Sequence, residues 1–502
     1  MVISLLVVVL DNTILNVALR TIADPVAGLG ATQAQLEWSI NSYTLAFAGL
    51  LFTFGVLGDR IGRKRTLLAG MAMFGLSSLA SAYAQDPGQL IAARALMGFS
   101  AAAVMPATLS IISNVFHPRE RARAIGIWAG AVGLGIAIGP ITGGLLLEYF
   151  WWGSVFMINV PIVAAGLVAI LLLVPESRDP KPGRLDLIGM GLSIIGLVAL
   201  VYGIIDGGEH GFDRPVVWAA IATGVAVLAG FAMWELRTRA PSLDVRLFRN
   251  PRFATATGTI ALMFFAALGV FFFVTFYLQL VRGYTPLQAG AAVLPFAAAN
   301  LFFAPRSAAM VRRFGPKAVS ATGLSVTALA LAGWMFVTPE TPLWLVLCLF
   351  FLQGMGMANV MPPAMESILS TLPRERAGVG SAVANTVRQV GGALGIAVMG
   401  AVVMSVYREQ IGPAVADLPG PAAAGASESI SGAYAVADRL GLANLLPAAD
   451  DAFMTAVHTA AAASATIAVL AALVVLRWLP GRTEPRPKAP APQGEPALAE
   501  VS

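Results

Sequence analysis

"VMPATLSIISNVFHPRERA", residues 104–122, returns almost unchanged as "VMPPAMESILSTLPRERA", residues 360–377. The shared VMP recurs 256 residues later and the shared PRERA 255 residues later. Each copy follows a small-residue stretch, "MGFSAAA" or "QGMGMAN", and runs into basic residues. Matches of this kind at one offset indicate a duplicated chain. An offset of half of 502 residues makes the duplication the main architectural fact: two similar halves.

The rest of the sequence says what the halves are made of. The chain is 57% hydrophobic and only 12% charged, against roughly 25% charged in soluble domains. Its mean hydropathy is +0.77. Apolar runs of ~20 residues are long enough to cross a bilayer as helices. Fourteen such spans are read, at about 2–19, 36–57, 67–84, 88–115, 124–147, 154–174, 185–205, 216–236, 253–281, 286–311, 318–338, 342–370, 378–407 and 451–479. The predicted class is therefore an all-α integral membrane protein. The single cysteine, Cys348, excludes a disulfide framework and any CxxC site. The three histidines, His117, His210 and His458, are scattered, so no metal site is expected.

The charges sort by side. Of 32 Lys and Arg residues, 25 follow even-numbered spans or lie at the C-terminal end. Five lie opposite (Arg20, Arg214, Arg282, Arg408, Arg439), and Arg94 and Arg388 sit within spans. Positive loops stay cytoplasmic, which predicts both termini in the cytoplasm. The net charge of +5 is then a topology signal, and no nucleic-acid partner is expected. The first span starts directly after Met1 with no basic n-region or cleavage site, so it reads as a span rather than a signal peptide, and a short upstream leader is expected. The domain reading is a first bundle (1–174), two inserted helices with linkers (175–252) and a second bundle (253–479). The second bundle carries an external loop (408–450), read as partly helical and mobile. The Pro/Ala/Glu-rich tail (480–502) reads as disordered. No phosphate-binding G-x-x-x-x-G-K-[ST] is present, and no enzyme activity is expected.

Two glycine-rich stretches carry mechanical information. Loop 2–3 reads "GVLGDRIGRK", residues 55–64. Its glycines permit tight turns and close helix approach. Asp59 can bond a helix N-terminus and pair with Arg63. A plain positive loop would explain the basic residues but not the glycines or Asp59. Span 5 contains "GIAIGPITGG", residues 135–144. Glycines at i, i+4 and i+8 make a smooth stripe on one helix face, and Pro140 removes a backbone hydrogen bond and allows a bend. Ordinary small-residue packing is the competing reading. Neither stretch is repeated in the second half, where "MVRRFGPK" places Arg312 about where Asp59 should stand, and "GGALGIAVMG" lacks Gly-Pro.

The first span, "LDNTILNVAL" (10–19), puts Asp11 in mid-membrane with Asn12, Thr13 and Asn16 nearby. Ionisable residues inside spans are functional by default, because a carboxyl in low dielectric can hold or release a proton according to its surroundings. The alternative is a protonated Asp hydrogen-bonded at a helix interface. Arg94, in "LIAARALMGFSAAA" (90–103), is a possible counter-ion, with snorkelling as its competing reading. Glu37, at the outer edge of span 2, and Glu366, near the inner end of span 12, occupy places that are more often hydrated. Glu366 is retained as a second proton site or a cation-attracting group, because Ser110 holds its place in the other copy.

Together these motifs resemble the 14-span drug:proton antiporters of the major facilitator superfamily, the QacA/EmrB type, over nearly the whole chain. The loop matches G-x-L-x-D-R-x-G-R-K. GIAIGPITGG matches the antiporter motif G-x-x-x-G-P-x-x-G-G. LDNTILNVAL matches L-D-x-T-x-x-N-x-A-L, and "WWGSVFMINVPI" (151–162) matches an aromatic-N-x-P signature. The chain departs from the pattern at Met97, where Gln is usual, and at Arg20, where Pro is usual. The resemblance implies a major facilitator fold: two six-helix bundles plus two extra central helices, 14 transmembrane helices in all. It implies a gating loop of Gly55, Leu57, Asp59, Arg60, Gly62, Arg63 and Lys64. It implies an antiporter element of Gly135, Gly139, Pro140, Gly143 and Gly144, and proton coupling through Asp11, Arg94 and Glu366. Candidate cavity residues are Asn16, Trp38, Asn41, Tyr43, Asn159, Asn300, Gln353, Asn359 and Asn385. The expected function is proton-coupled export of lipophilic, often cationic drugs or antiseptics across the bacterial plasma membrane. Protons are the only coupling species and no cofactor is expected. The expected partners are a lipophilic small molecule and the lipid bilayer, with the protein a monomer. Export of one endogenous compound is the first alternative, and an ion-coupled symporter is the second.

Overall fold

The computed structural model describes residues 1–115, 135, 138–178, 185–238, 241, 243–372 and 377–479. The PRERA copies, apart from Ala377, and the tail 480–502 lie outside them, as does most of residues 124–137. Every regular element among the described residues is helical. In the first half these are α1 (Val2–Ala23), α2 (Gln33–Ile61), α3 (Arg63–Ala82), α4 (Pro87–Val115), α5 (138–149), α6 (Ser154–Met157) and α7 (Asn159–Leu173). Then come α8 (Leu187–His210) and α9 (Pro215–Arg237). The second half holds α10 (Pro251–Phe276), α11 (Pro286–Ala292), α12 (Leu294–Gly333), α13 (Leu343–Ala358), α14 (Met361–Ser370), α15 (Ala377–Val415), α16 (Gly420–Glu428), α17 (Ile430–Leu440) and α18 (Leu445–Trp478). Eleven of the described helices are long and apolar enough to cross a membrane. Twelve crossings result if α2, bent by 54°, counts as one.

The helix starts carry local signals. Thr32 and Thr285 each begin a capping box, with Gln35 and Gln288 returning the bond, so two free donors are satisfied reciprocally. The two boxes stand at equivalent places, the entrance to the second span of each half, and extend the duplication into structure. Asn250 caps α10 and Asp186 caps α8. α12 breaks at Gly315, whose φ of 83° favours glycine.

α2, α3, α4 and α7 pack together in the first half, and α10, α12, α13, α15 and α18 in the second. α1 touches α10 and α11 across the middle. The α8/α9 hairpin docks on α2 of one half and α15 of the other. α9 buries few side chains, and exposed Leu172, Leu173, Trp218 and Trp344 suit a lipid-facing surface. Within the 408–450 segment, α16 and α17 bury Ala426, Ile430, Ala433 and Ala437.

Candidate functional site

Asp11 and Arg94 meet inside the first half. Asp11 is 1% exposed and Arg94 0%. An Arg94 η-nitrogen donates to Asp11 Oδ2, and Nε donates to the Ser39 carbonyl at 3.0 Å. Asn159 Nδ2 donates to Asp11 Oδ1 at 3.0 Å and is also 3.0 Å from Ser78 Oγ. Ser78 in turn donates to the Phe156 carbonyl at 2.8 Å. The snorkelling reading for Arg94 fails on this geometry, since the side chain runs inward to a carboxylate. Met97 does not leave a hole in the network: its sulfur lies 3.8 Å from the Arg94 guanidinium and accepts from Ser81 at 3.3 Å.

The pair does not open onto the central cavity. That cavity, about 290 Å³, lies between the halves and is lined from α1, α2, α4, α5, α10, α11, α12, α13 and α15. On α1 its wall is Val8, Val9, Asn12, Thr13, Asn16 and Val17, and Asp11 faces the other way. The ring of Tyr43 is the partition. It lines the cavity, while the Arg94 guanidinium stacks 4.4 Å from its centroid. Cation–π contact of this kind is strongest where water is excluded. The remaining wall is largely aromatic and aliphatic, with Phe47, Phe264, Phe271, Phe272 and Phe296.

Of the nine candidate cavity residues, Asn16, Tyr43, Asn300 and Gln353 line the cavity. The other five do not. On α2 the wall is Ile40, Tyr43, Thr44 and Phe47, one helix face at three- and four-residue spacing, and Trp38 and Asn41 fall off it. Asn159 is committed to Asp11. Asn359 bonds its own helix at the Met355 carbonyl, 2.8 Å away, and Asn385 does the same at Ser381, 3.0 Å away. Two wall residues escaped the sequence reading. Gln279 lies in a π-helical turn (Tyr277–Val281) and donates across the halves to the Val17 carbonyl at 2.9 Å. Such turns recur at functional sites. Arg388 lines the cavity and stacks 5.5 Å from the Phe264 ring. It is the one cation, with no carboxylate, among the described lining residues. Its position inside a span was the available signal.

Glu366 stands exposed and apart from this cluster. Glu37 is the reverse of expectation. It is 0% exposed, because α8 and α15 close over the N-terminal end of α2.

The glycine stripe of residues 135–144 packs on α1. A side chain at Gly135 would meet Val9, one at Gly139 would meet Thr13, and one at Gly143 would meet Ile14. Thr13 also donates to the Gly135 carbonyl at 3.3 Å. Gly144 faces Leu287 and Pro286, and the Pro140 carbonyl presses on Gly290, so the same helix touches the other half. In the gating loop, Arg63 grips Asp59 at 2.7–2.8 Å. Gly62 has φ +119°, a region side chains avoid. The helix N-terminus is served by Glu176 rather than Asp59: Glu176 Oε1 accepts from the Lys64 amide at 3.1 Å. The Lys64 ammonium reaches the Leu171 carbonyl at 2.9 Å. Gly55 and Leu57 are half-buried, and Arg60 is exposed.

Comparison with known proteins agrees with this architecture. Residues 1–396 match the family model of the Major Facilitator Superfamily. The chain is 35% identical over 474 residues to the multidrug efflux pump LfrA of Mycolicibacterium smegmatis, covering 94% of this chain and 93% of that protein. It is 34% identical over 499 residues to the tetracenomycin C resistance and export protein of Streptomyces glaucescens, covering 97% and 92%. In fold it resembles the inward-facing, unoccupied bacterial homologue of the human lysosomal transporter Spinster, with TM-score 0.65, 16% identity and 95% of each chain covered. The duplicated helical halves, the cavity between them and these matches make the chain a member of the major facilitator superfamily.

Proposed function

We propose that the chain is a proton-coupled efflux antiporter that exports lipophilic drugs and antiseptics, cations among them, across the bacterial inner membrane. The observation that carries this is the buried Asp11–Arg94 pair set behind Tyr43, the wall of an apolar cavity between two half-bundles. The named relatives, a multidrug pump and a drug export protein, support the substrate class. α1 meets α10 and α11 across the middle beside the cavity. Substrate and Asp11 do not touch. Substrate presses on Tyr43, Asn12 and Thr13, and proton arrival at Asp11 breaks the hold of Arg94 on the same helices. Each site thus biases one rocking equilibrium. Glu366, at the cytoplasmic end, is kept as an auxiliary proton site.

Two further segments bring the spans to fourteen. α3 is a 20-residue helix that starts with "RKR" and so scores as less apolar. Residues 124–147 lie largely outside the described part. With both termini cytoplasmic, the 24–32 and 408–450 loops are external. The protein works as a monomer with no cofactor. A narrower role, exporting one endogenous compound, is favoured by the fixed amides Asn16, Gln279, Asn300 and Gln353 in the wall and by the antibiotic-export relative. Inside-out vesicles with an acid interior test the proposal. Ethidium should accumulate and be lost on adding a protonophore. Absence of uptake from a panel of lipophilic drugs by folded protein would favour the narrower role, and uptake insensitive to the protonophore would contradict proton coupling.

A further inference from the structure

Glu37 is buried with neither carboxyl oxygen hydrogen-bonded. It faces Gly400 of α15, and a side chain at Gly400 would collide with its carboxyl group. The missing side chain therefore forms the niche that the carboxyl fills. The niche lies on the seam where α2 and α8 meet α15, at the end of the bundle with loops 24–32 and 408–450. Among the described residues, no cation there is free to pair with it. From α15, the Arg408 guanidinium is taken by the Gly208 and Glu209 carbonyls. From α8 come Glu209, whose carboxylate acts on Glu37 as a like charge, and Asp206, which pairs with His210 at 3.0 Å and with Arg214, at the start of α9, at 3.5 Å. Glu428 of α16 is a further carboxylate in this group. From α2 itself, the Gln33 amide is buried but unpartnered.

An ionised carboxylate sealed among apolar helices without a partner is very costly. We propose that Glu37 is a further proton-binding site, distinct from Asp11 and Glu366, which holds a proton while the α2–α15 seam is shut and releases it when the seam opens and water enters. The proposal rests on the alternating-access reading above and extends it: proton exchange occurs at the outer gate as well as at Asp11. Protonation favours the closed seam, so rising pH should open it.

Spin labels at Val26→Cys and Ala414→Cys, in a Cys348→Ser background, report the width of the seam, since Val26 and Ala414 are exposed on either side of it. Pulsed dipolar spectroscopy on the full chain in lipid nanodiscs would follow the distance from about pH 5 to about pH 9. The expected result is one short distance at acid pH and at least a roughly tenfold rise in a longer population as pH increases. Glu37→Gln, which cannot ionise, should stay short throughout. Gly400→Ala, which pushes the carboxyl from its niche, should show the longer distance already at acid pH. A Glu37→Gln protein that opens with pH like wild type would overturn the proposal. So would a wild-type seam that opens with ethidium but not with pH, while leaving alternating access standing. A distance that no condition changes would overturn both readings.

Discussion

Removing either member of the Asp11–Arg94 pair should not cost the same. Both groups are buried at 0–1% exposure, and breaking a buried pair typically costs about 3–5 kcal/mol because a charge is left uncompensated. In Asp11→Asn that charge is Arg94. A guanidinium cannot shed its proton, and besides the neutral amide oxygen at position 11 it retains the Ser39 carbonyl, the Met97 sulfur and the faces of Tyr43 and Phe156. The full range of about 3–5 kcal/mol is expected. In Arg94→Met the survivor is a carboxyl, which escapes by taking a proton and keeps the Asn159 amide. The loss should be that of an imperfectly satisfied polar group, about 1–3 kcal/mol. The double variant carries no buried charge and should lie nearer wild type than Asp11→Asn does. Thermal unfolding in one detergent, followed for wild type and the three variants, reads the order. The expected order of melting temperatures is wild type, then Arg94→Met and the double variant, then Asp11→Asn lowest. If Arg94→Met melts below Asp11→Asn, or if the singles add in the double variant, the pair is not the buried charge couple described.

Three further perturbations follow from the geometry. Gly139→Val places a branched side chain against Thr13; overpacking of this kind costs about 1–3 kcal/mol, and efflux should fall to background, so unaltered ethidium efflux would remove the stripe from the mechanism. Gln279→Ala deletes the bond to Val17 that joins the halves, worth about 0.5–1.5 kcal/mol; the distance between labels on α1 and α10 should shift toward the open form by roughly two- to tenfold in population, and an unchanged population would show the bond to be incidental. Arg388→Gln removes the cation from the cavity wall; at ~6 Å and an effective dielectric of about 20 the term is about 3 kcal/mol, and on the order of 1 kcal/mol survives in a wetted cavity, so lipophilic cations should bind about fivefold more tightly and lipophilic acids more weakly, with equal changes for both classes refuting the electrostatic role.

What was legible in the sequence follows from the range of each signal. The duplication, the apolar runs and the glycine stripe are local or periodic, and they gave two halves of helices and a smooth packing face on α5, though not its partner α1. Asp11 was legible because one carboxylate in an oily run has few uses. Which way it points was not. A helix turns 100° per residue, so Asp11 and Asn12 fall on different sides, one inside the half-bundle and one on the cavity. The same arithmetic separates Tyr43 from Asn41. Glu37 was misjudged because its burial depends on α15, some 360 residues away in sequence, and on the α8/α9 hairpin that no repeat announces. Gln279 was hidden by the π-turn, which shifts the register of its helix. Glu176 was missed because only folding brings the end of the first half to the Gly62 turn.

The central claim is that Asp11 exchanges the coupling proton. Proteoliposomes with a trapped pH dye and an imposed substrate gradient, but no initial pH gradient, test it most directly. Downhill movement of substrate should drive protons the opposite way in wild type, while Asp11→Asn should still exchange substrate for substrate with no pH signal. A proton signal of wild-type size from Asp11→Asn would contradict the account.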